Sequence, residues 1–203
     1  EDAEGYMYNH VIATLALCDA LATTGDAHLL TPAQRAIDFL AAAQDPRGGW
    51  DYYKAGALPK DGRDAKPDAR YRVDLSITGW AVMAVKVAEM GGLKVPAQVK
   101  PRIRTFLERM ERGTDPEPRY AEGYFEGWTP QDMARALGEV RASGDRAREA
   151  ELARTQRLEE PRRGIAMVAV AALSKMYLGT PASSPKLREQ VNVLLAHPPS
   201  VDA

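Results

Sequence analysis

The stretch AIDFLAAAQDPRGGWDYY, residues 36–53, decides the fold. Its first part repeats apolar residues at helical spacing. Ala36, Ile37, Phe39 and Leu40 make one stripe, while Gln34, Arg35 and Asp38 face water. The helix runs to Gln44, and Pro46, Gly48, Gly49 and Trp50 follow at once. Proline cannot continue a helix, and a glycine pair permits a tight reversal. The indole of Trp50 is therefore expected to swing back and clamp this helix to the segment that leads into the next one. The Gln44 amide is expected to tie down carbonyls orphaned at the helix end and to stack on the indole.

Working outward, three segments are apolar around most of their circumference: residues 8–25, 74–92 and 164–179. Such helices belong in an interior. Small residues recur in them (Ala13, Ala16, Ala81, Ala84, Ala169, Ala172) and favour close approach of helix axes. Each segment stops at glycine, the common C-terminal signal. A more amphipathic helix follows each: 31–44, 96–112 and 184–197. Thr31-Pro32 and Ser184-Pro185 read as an N-cap followed by a first-turn proline.

The pairs superimpose on one another. Residues 13–17 align with 81–85 and 169–173, and Phe39-Leu40 aligns with Phe106-Leu107 and Leu194-Leu195. An internal repeat of this kind outweighs any single motif. The expected fold is all-α: an α/α toroid-like array of inner and outer helix pairs, with about three pairs present in an incomplete ring. The whole chain, 1–203, reads as one repeat domain, with units at about 7–50, 73–112 and 163–197. A connector rich in Gly, Pro, Asp and Lys (51–73) separates the first two and is expected to hold a short hairpin near Tyr52-Tyr53. A longer connector carries a helical insertion at about 129–160, with a break at Ser143-Gly144-Asp145. Its many Arg and Glu residues read as a solvated face, or as the polar side of a lid or interface.

Bulk properties exclude several function classes. The net charge of −1 offers no attraction to nucleic acid. No run of apolar residues is long enough to span a membrane. Cys18 is the single cysteine, so the chain cannot form an internal disulfide or a cysteine-rich zinc site. It lies in an apolar helical pattern and reads as a buried small hydrophobe. The compartment stays open; an extracytoplasmic or surface-associated setting within a larger polypeptide fits. The opening EDAEGYMYNH lacks an initiator Met and reads as an internal or processed boundary.

The opening stretch also carries a resemblance. Arg35-Ala36, Phe39-Leu40, Gln44, Gly48 and Trp50 follow the order basic, small, aromatic-Leu, Gln, Gly-x-Trp at every fixed position. This resembles the QW repeat of squalene–hopene and oxidosqualene cyclases. The inner–outer alternation, and DLSITGWAVMAVKVAEMGGLKVP (74–96) in particular, is similar to bacterial prenyltransferase/squalene-oxidase repeat proteins of largely unassigned role. More distantly, the layout is similar to thioester domains of complement-like proteins. The motif degrades in later units. At the Gln44 position unit two has Glu111, with Gly127-Trp128 as a substitute after the loop, and unit three has Pro199.

The resemblance implies activities whose residues are missing. The D-x-D-D acid of class II terpene cyclases is absent, and the nearest place offers Asp74 alone, which reads as an N-cap. A prenyltransferase-like zinc set fails because His10 and Cys18 are eight residues apart on one helix, roughly 12 Å. The C-G-E-Q thioester motif is also absent. No catalytic residue, metal site or cofactor is therefore assigned.

A geometric site remains. In such an array the inner-helix starts converge at one end. They would gather Tyr8, Asn9 and His10 from unit one, Asp74 and Ser76 from unit two, and Arg162 and Arg163 from unit three. Helix N-termini there favour a polar or anionic ligand, walled by Tyr52, Tyr53, Tyr124 and Trp128. The function expected is a non-catalytic, terpene-cyclase/prenyltransferase-like repeat domain of a larger protein, binding a ligand or a protein, with apolar flanks that self-associate or are covered by further domains or by the 129–160 insertion. The alternative is a divergent enzyme on the same scaffold, either cyclase-like or carbohydrate-active. The latter would pair Asp74 with Glu122, Glu126 or Asp132 across a cleft. A filled end would instead indicate a structural spacer.

Overall fold

A computed structural model of the chain describes residues 6–52, 73–111, 121–122, 130–150, 152 and 165–198. The protein is all-α. The helices are α1 (Tyr6–Thr24), α2 (Leu30–Ala42), α3 (Leu75–Met90), α4 (Val99–Met110), α5 (Pro130–Ser143), α6 (Ile165–Tyr177) and α7 (Pro185–Ala196). The strands among the described residues are two residues each, β1 (Val73–Asp74) and β2 (Ala121–Glu122), paired antiparallel.

Helix α3 is the centre of the structure. Its buried residues, among them Leu75, Ile77, Gly79, Ala81, Val82, Ala84 and Val85, cover most of its circumference. Helix α1 packs on one side of it and α6 on another, while α2 packs on both α1 and α3, and α7 on α6. Close approach explains the tolerance for small residues: a Cβ on Gly79 would lie 2.4 Å from Cγ1 of Val170 in α6. The alanines singled out in α1 behave differently. Ala13 and Ala16 are exposed, and the buried face of α1 is Met7, Val11, Thr14, Cys18 and Leu21. So α1 is interior on one half only.

The helix ends follow the glycine signals. In α3 the N–H of Gly92 meets the Glu89 carbonyl at 3.1 Å and that of Leu93 meets Ala88 at 2.9 Å. In α6 the corresponding bonds run from Gly179 to Met176 at 3.0 Å and from Thr180 to Lys175 at 2.9 Å. Both ends have the same double closure, with Gly92 and Gly179 in the left-handed region.

The starts are less simple. Thr31 does not cap α2. A 3-10 turn over Ala27–Leu29 runs straight into Leu30, and Asp26 does the capping by accepting from the His28 N–H at 2.9 Å. Pro32 sits in the first turn, where its missing N–H costs nothing. Pro101 occupies the same place in α4, which therefore begins at Val99 rather than at residue 96. Ser184 precedes Pro185 as expected, but its side chain makes no capping bond.

The buried stripe of α2 is Ala33, Ala36, Ile37 and Leu40. Phe39, expected in that stripe, is 36% exposed, at the flank beside His10. Beyond α2 the chain turns through an Asx turn. Asp45 Oδ1 accepts from the Arg47 N–H at 2.8 Å, and its carbonyl accepts from Gly48 at 2.8 Å. Trp50 then returns as a fully buried side chain whose Nε1–H donates to the Leu40 carbonyl at 2.8 Å. Its backbone N–H donates to Thr78 Oγ1 at 3.0 Å, and its carbonyl accepts from Asp74 at 2.8 Å. The last turn of α2 is thus fastened to the first turn of α3.

Gln44 does something other than expected. Its Nε2 donates to the Gly48 carbonyl at 2.8 Å and the Val99 carbonyl at 3.1 Å, so it joins its own turn to the start of α4. The Leu40 carbonyl near the end of α2, which also accepts from the Ala43 N–H at 3.2 Å, is met by the indole instead. Trp50 bridges to Asp74 and β1 continues the pairing with β2, while the hairpin expected near Tyr52-Tyr53 falls on a connector whose residues 53–72 lie outside the described ones.

The second unit uses the same device with a different side chain. Glu111, just past α4, accepts from Gln190 Nε2 of α7 at 2.6 Å and is ion-paired to Lys175 of α6. Arg104 of α4 also holds the Leu178 carbonyl beyond α6 at 2.8 Å. In the first unit Gln34 of α2 makes two 2.9 Å bonds to the backbone of Lys94. Each pair is stapled to the next through the end and flank of its second helix. In the insertion, α5 ends at Ser143, Gly144 breaks the helix as expected, and residues 146–150 resume it under an Asp145 cap.

Candidate functional site

The N-terminal ends of α1 and α3 do lie together, joined through residues 50–52 and 73–74. The Met7 N–H donates to the Tyr52 carbonyl at 3.2 Å, and the Tyr8 and Tyr52 rings stack with centroids 6.3 Å apart and planes 10° apart. Asp74 is the N-cap of α3 and fully buried. Its Oδ1 accepts from the Ser76 N–H at 2.8 Å, the Ser76 hydroxyl at 2.5 Å and the Ile77 N–H at 3.3 Å. Asp51 is buried nearby.

These contacts decide what the site can do. A helix start attracts an anion because its first N–H groups lack partners. Here Met7 meets a carbonyl, and Ser76 and Ile77 meet a carboxylate of the chain itself. Asp74 is occupied in the same way: a carboxylate with three donors and no exposure is built to hold a helix start. Among the partners weighed for it, Glu122 stands opposite Val73 in the β1–β2 register, and Ala121 stands opposite Asp74.

His10 faces another neighbour. One residue is about 100° of helix, so Tyr8 and His10 project to opposite sides of α1. His10 Nε2 lies 3.3 Å from the Ala36 carbonyl and 3.3 Å from Thr14 Oγ1, and its ring meets Phe39 edge-on at 4.4 Å. It joins α1 to α2. Burial pushes its pKa below the ordinary value, partly offset by the Ala36 carbonyl. Burial also raises the Cys18 thiol to about 11.

Tyr53, Tyr124, Glu126, Trp128, Arg162 and Arg163 lie outside the described residues, and so does the side chain of Asp132. The structural-motif residues are brought together: Gln44 and Gly48 by a hydrogen bond, and Trp50 onto Leu40. Phe39 stands apart at the His10 ring. Among the described residues no group of His, Cys, Asp or Glu is arranged to hold a metal, and no helix is long and apolar enough to cross a membrane.

Sequence reasoning missed two features. One is the Glu111–Lys175–Gln190 cluster; its signal was a single lysine in an otherwise apolar helix. The other is the far edge of the last pair. Ile165, Leu173 and Met176 of α6 and Val191 and Leu195 of α7 are exposed, beside an open groove of about 500 Å³. That groove is lined by Met176, Thr180, Ala182, Leu187, Arg188 and Val191, with Asn192 at its side. In comparisons with known proteins, no family model, curated protein or solved structure gives a significant match to the chain.

Proposed function

We propose that this chain is a non-catalytic helical-repeat module that works by binding protein through an uncovered face of its helix stack. On this reading the pairs follow an α/α toroid-like path, resembling the squalene-cyclase and prenyltransferase type of repeat, and the stack is left open. The observation that carries it is the contrast between the two ends of the molecule. The helix starts, where a polar or anionic ligand was expected, spend Asp74, the Met7 amide and the Ser76 amide on internal bonds. The α6–α7 edge leaves large apolar side chains in water: Met176 is 56% and Leu195 73% exposed. Apolar surface gathered in one place favours association, whereas scattered residues do not.

Against the enzyme alternative stand the complete burial of Asp74 and the register that sets Ala121, rather than Glu122, opposite it. A panel of isoprenoid diphosphates, cyclisable polyenes and oligosaccharides incubated with the chain tests the reading. No turnover is expected. Turnover abolished by Asp74→Asn in a protein that keeps its helical circular dichroism would replace this reading with an enzyme.

A further inference from the structure

We infer that the open α6–α7 edge is the seat of helix α1 from a second copy of this chain, in a head-to-tail contact. The inference rests on the binding-module reading above and names its partner.

The geometry of α6 is two-sided. Met167, Val168, Ala171, Ala172 and Ser174 are buried, and Val170 reaches Gly79 of α3. At about 100° per residue these occupy one half of the helix. The other half is Ile165, Ala166, Ala169, Leu173 and Met176, with the half-buried Tyr177 at its border, and it carries no charged side chain. Helix α7 continues the same edge. Gln190 turns toward α4 to reach Glu111, so Val191 and Leu195 turn away from α4. Helix α3 shows what this chemistry looks like when satisfied. It too is apolar on both sides, and α1 covers one side while α6 covers the other.

The matching surface is at the opposite end of the same layer. The outward half of α1 carries the small residues Ala13 and Ala16, with Ile12 and Thr23 beside them, all exposed. Within the chain, the α3–α6 contact sets a bulky residue of α6 against a residue without a side chain, Val170 against Gly79. Leu173 and Met176 against the two alanines of α1 would extend that rule. The charges agree: the acid on the outward half of α1 is Asp19, and the base lining the groove is Arg188. Because the two surfaces differ, the contact is heterologous. It either closes into a ring or grows as a filament. A contact of α6 edges with each other would set bulky side chains against bulky ones and leave the alanine edge uncovered.

The experiment is light scattering on the purified chain across a wide concentration range, with two variants. Met176→Lys/Leu195→Lys blocks one edge, and Ala16→Arg blocks the other. All of these positions are exposed, and Ala13→Arg replaces Ala16→Arg if that variant loses helicity. The wild-type mass is expected to rise with concentration, each variant alone to stay monomeric, and their mixture to form a dimer of twice the monomer mass. A wild type that is monomeric throughout overturns the contact. So do Ala16→Arg and Ala13→Arg chains that still dimerise, or a mixture that gains no mass. A monomeric chain without turnover removes this contact while leaving the non-catalytic reading in place; only turnover removes both.

Discussion

A Cβ placed on Gly48 would lie 2.1 Å from the carbonyl oxygen of Arg102, in the first half of α4. Gly48 also has a φ of +100°, outside the range other residues adopt readily. The turn after α2 therefore presses its backbone onto α4, and only glycine permits it. Gly48→Ala incurs the backbone penalty of about 1 kcal/mol and an overpacking cost of about 1–3 kcal/mol. Gly25 supplies the control: its φ is +66°, but a Cβ there meets nothing within 4 Å. Urea denaturation should show Gly48→Ala losing about 2–4 kcal/mol and Gly25→Ala about 1 kcal/mol. Equal losses would mean that the contact with α4 is absent.

The indole of Trp50 separates packing from hydrogen bonding. Trp50→Phe keeps most of the apolar volume and leaves the Leu40 carbonyl without its 2.8 Å donor. The carbonyl keeps its 3.2 Å bond from the Ala43 N–H, so the loss is that of one hydrogen bond, about 0.5–1.5 kcal/mol. Trp50→Ala adds a cavity and should reach about 3–5 kcal/mol. Chemical denaturation of both variants checks the order. If Trp50→Phe is neutral, the indole N–H contributes nothing and the clamp is packing alone.

How far these features were legible in the sequence depends on how local their causes are. The helices and their C-terminal stops can be read because glycine in a left-handed position is a property of one residue, as at Gly92 and Gly179. The starts resist reading because α2 has no side-chain cap of its own: Asp26 caps the 3-10 turn that leads into it, a turn that no short pattern announces. Apolarity alone puts Phe39 in the stripe, while a strict 3.6-residue period selects Ala33, Ala36, Ile37 and Leu40. The site suffers most. The Asp74 cap on the Ser76 amide is local and legible, whereas the Met7 amide is occupied by the Tyr52 carbonyl, which only the fold brings to it. Glu111 looks like decay of the Gln44 pattern, yet it performs the same stapling on partners 64 and 79 residues away.

That stapling gives a third prediction. Lys175 and Glu111 have side chains only 12% and 6% exposed, and Gln190 supplies a further bond to the carboxylate. Removing one partner strands the other charge in a poorly solvated place. Glu111→Ala should cost about 3–5 kcal/mol, whereas replacing both charges, as in Glu111→Gln/Lys175→Met, should recover most of that loss. A double-mutant cycle by urea denaturation measures it. Additive single and double losses would deny the coupling.

The pH dependence of stability follows from His10. Burial lowers its folded pKa below the ordinary value of 6.5, so the unfolded chain takes up the proton first as pH falls. Above the unfolded value both states are neutral, and His10 adds no slope. Below it stability declines, until the folded pKa is passed and the decline from this group ends. His10→Gln can still donate to the Ala36 carbonyl but does not titrate. Denaturation midpoints from neutral pH into the acid range should fall less steeply for His10→Gln than for the wild type. Parallel curves would show that His10 titrates equally in both states.

Cys18 reports on whether the α1–α3 contact opens locally or only with the whole fold. The thiol is fully buried, and burial raises its pKa to about 11. Thiolate is the reactive form, so both inaccessibility and the raised pKa suppress reaction at mildly alkaline pH. Ellman's reagent should label the native chain slowly and the urea-unfolded chain at once. Cys18 sits on the buried half of α1, which packs on both α2 and α3. Ala84→Leu, which overpacks the buried face of α3, should speed native labelling by loosening that helix. If labelling rates track global stability measured in parallel, Cys18 is exposed only by complete unfolding. If they rise without a matching loss of stability, α1 detaches as a unit.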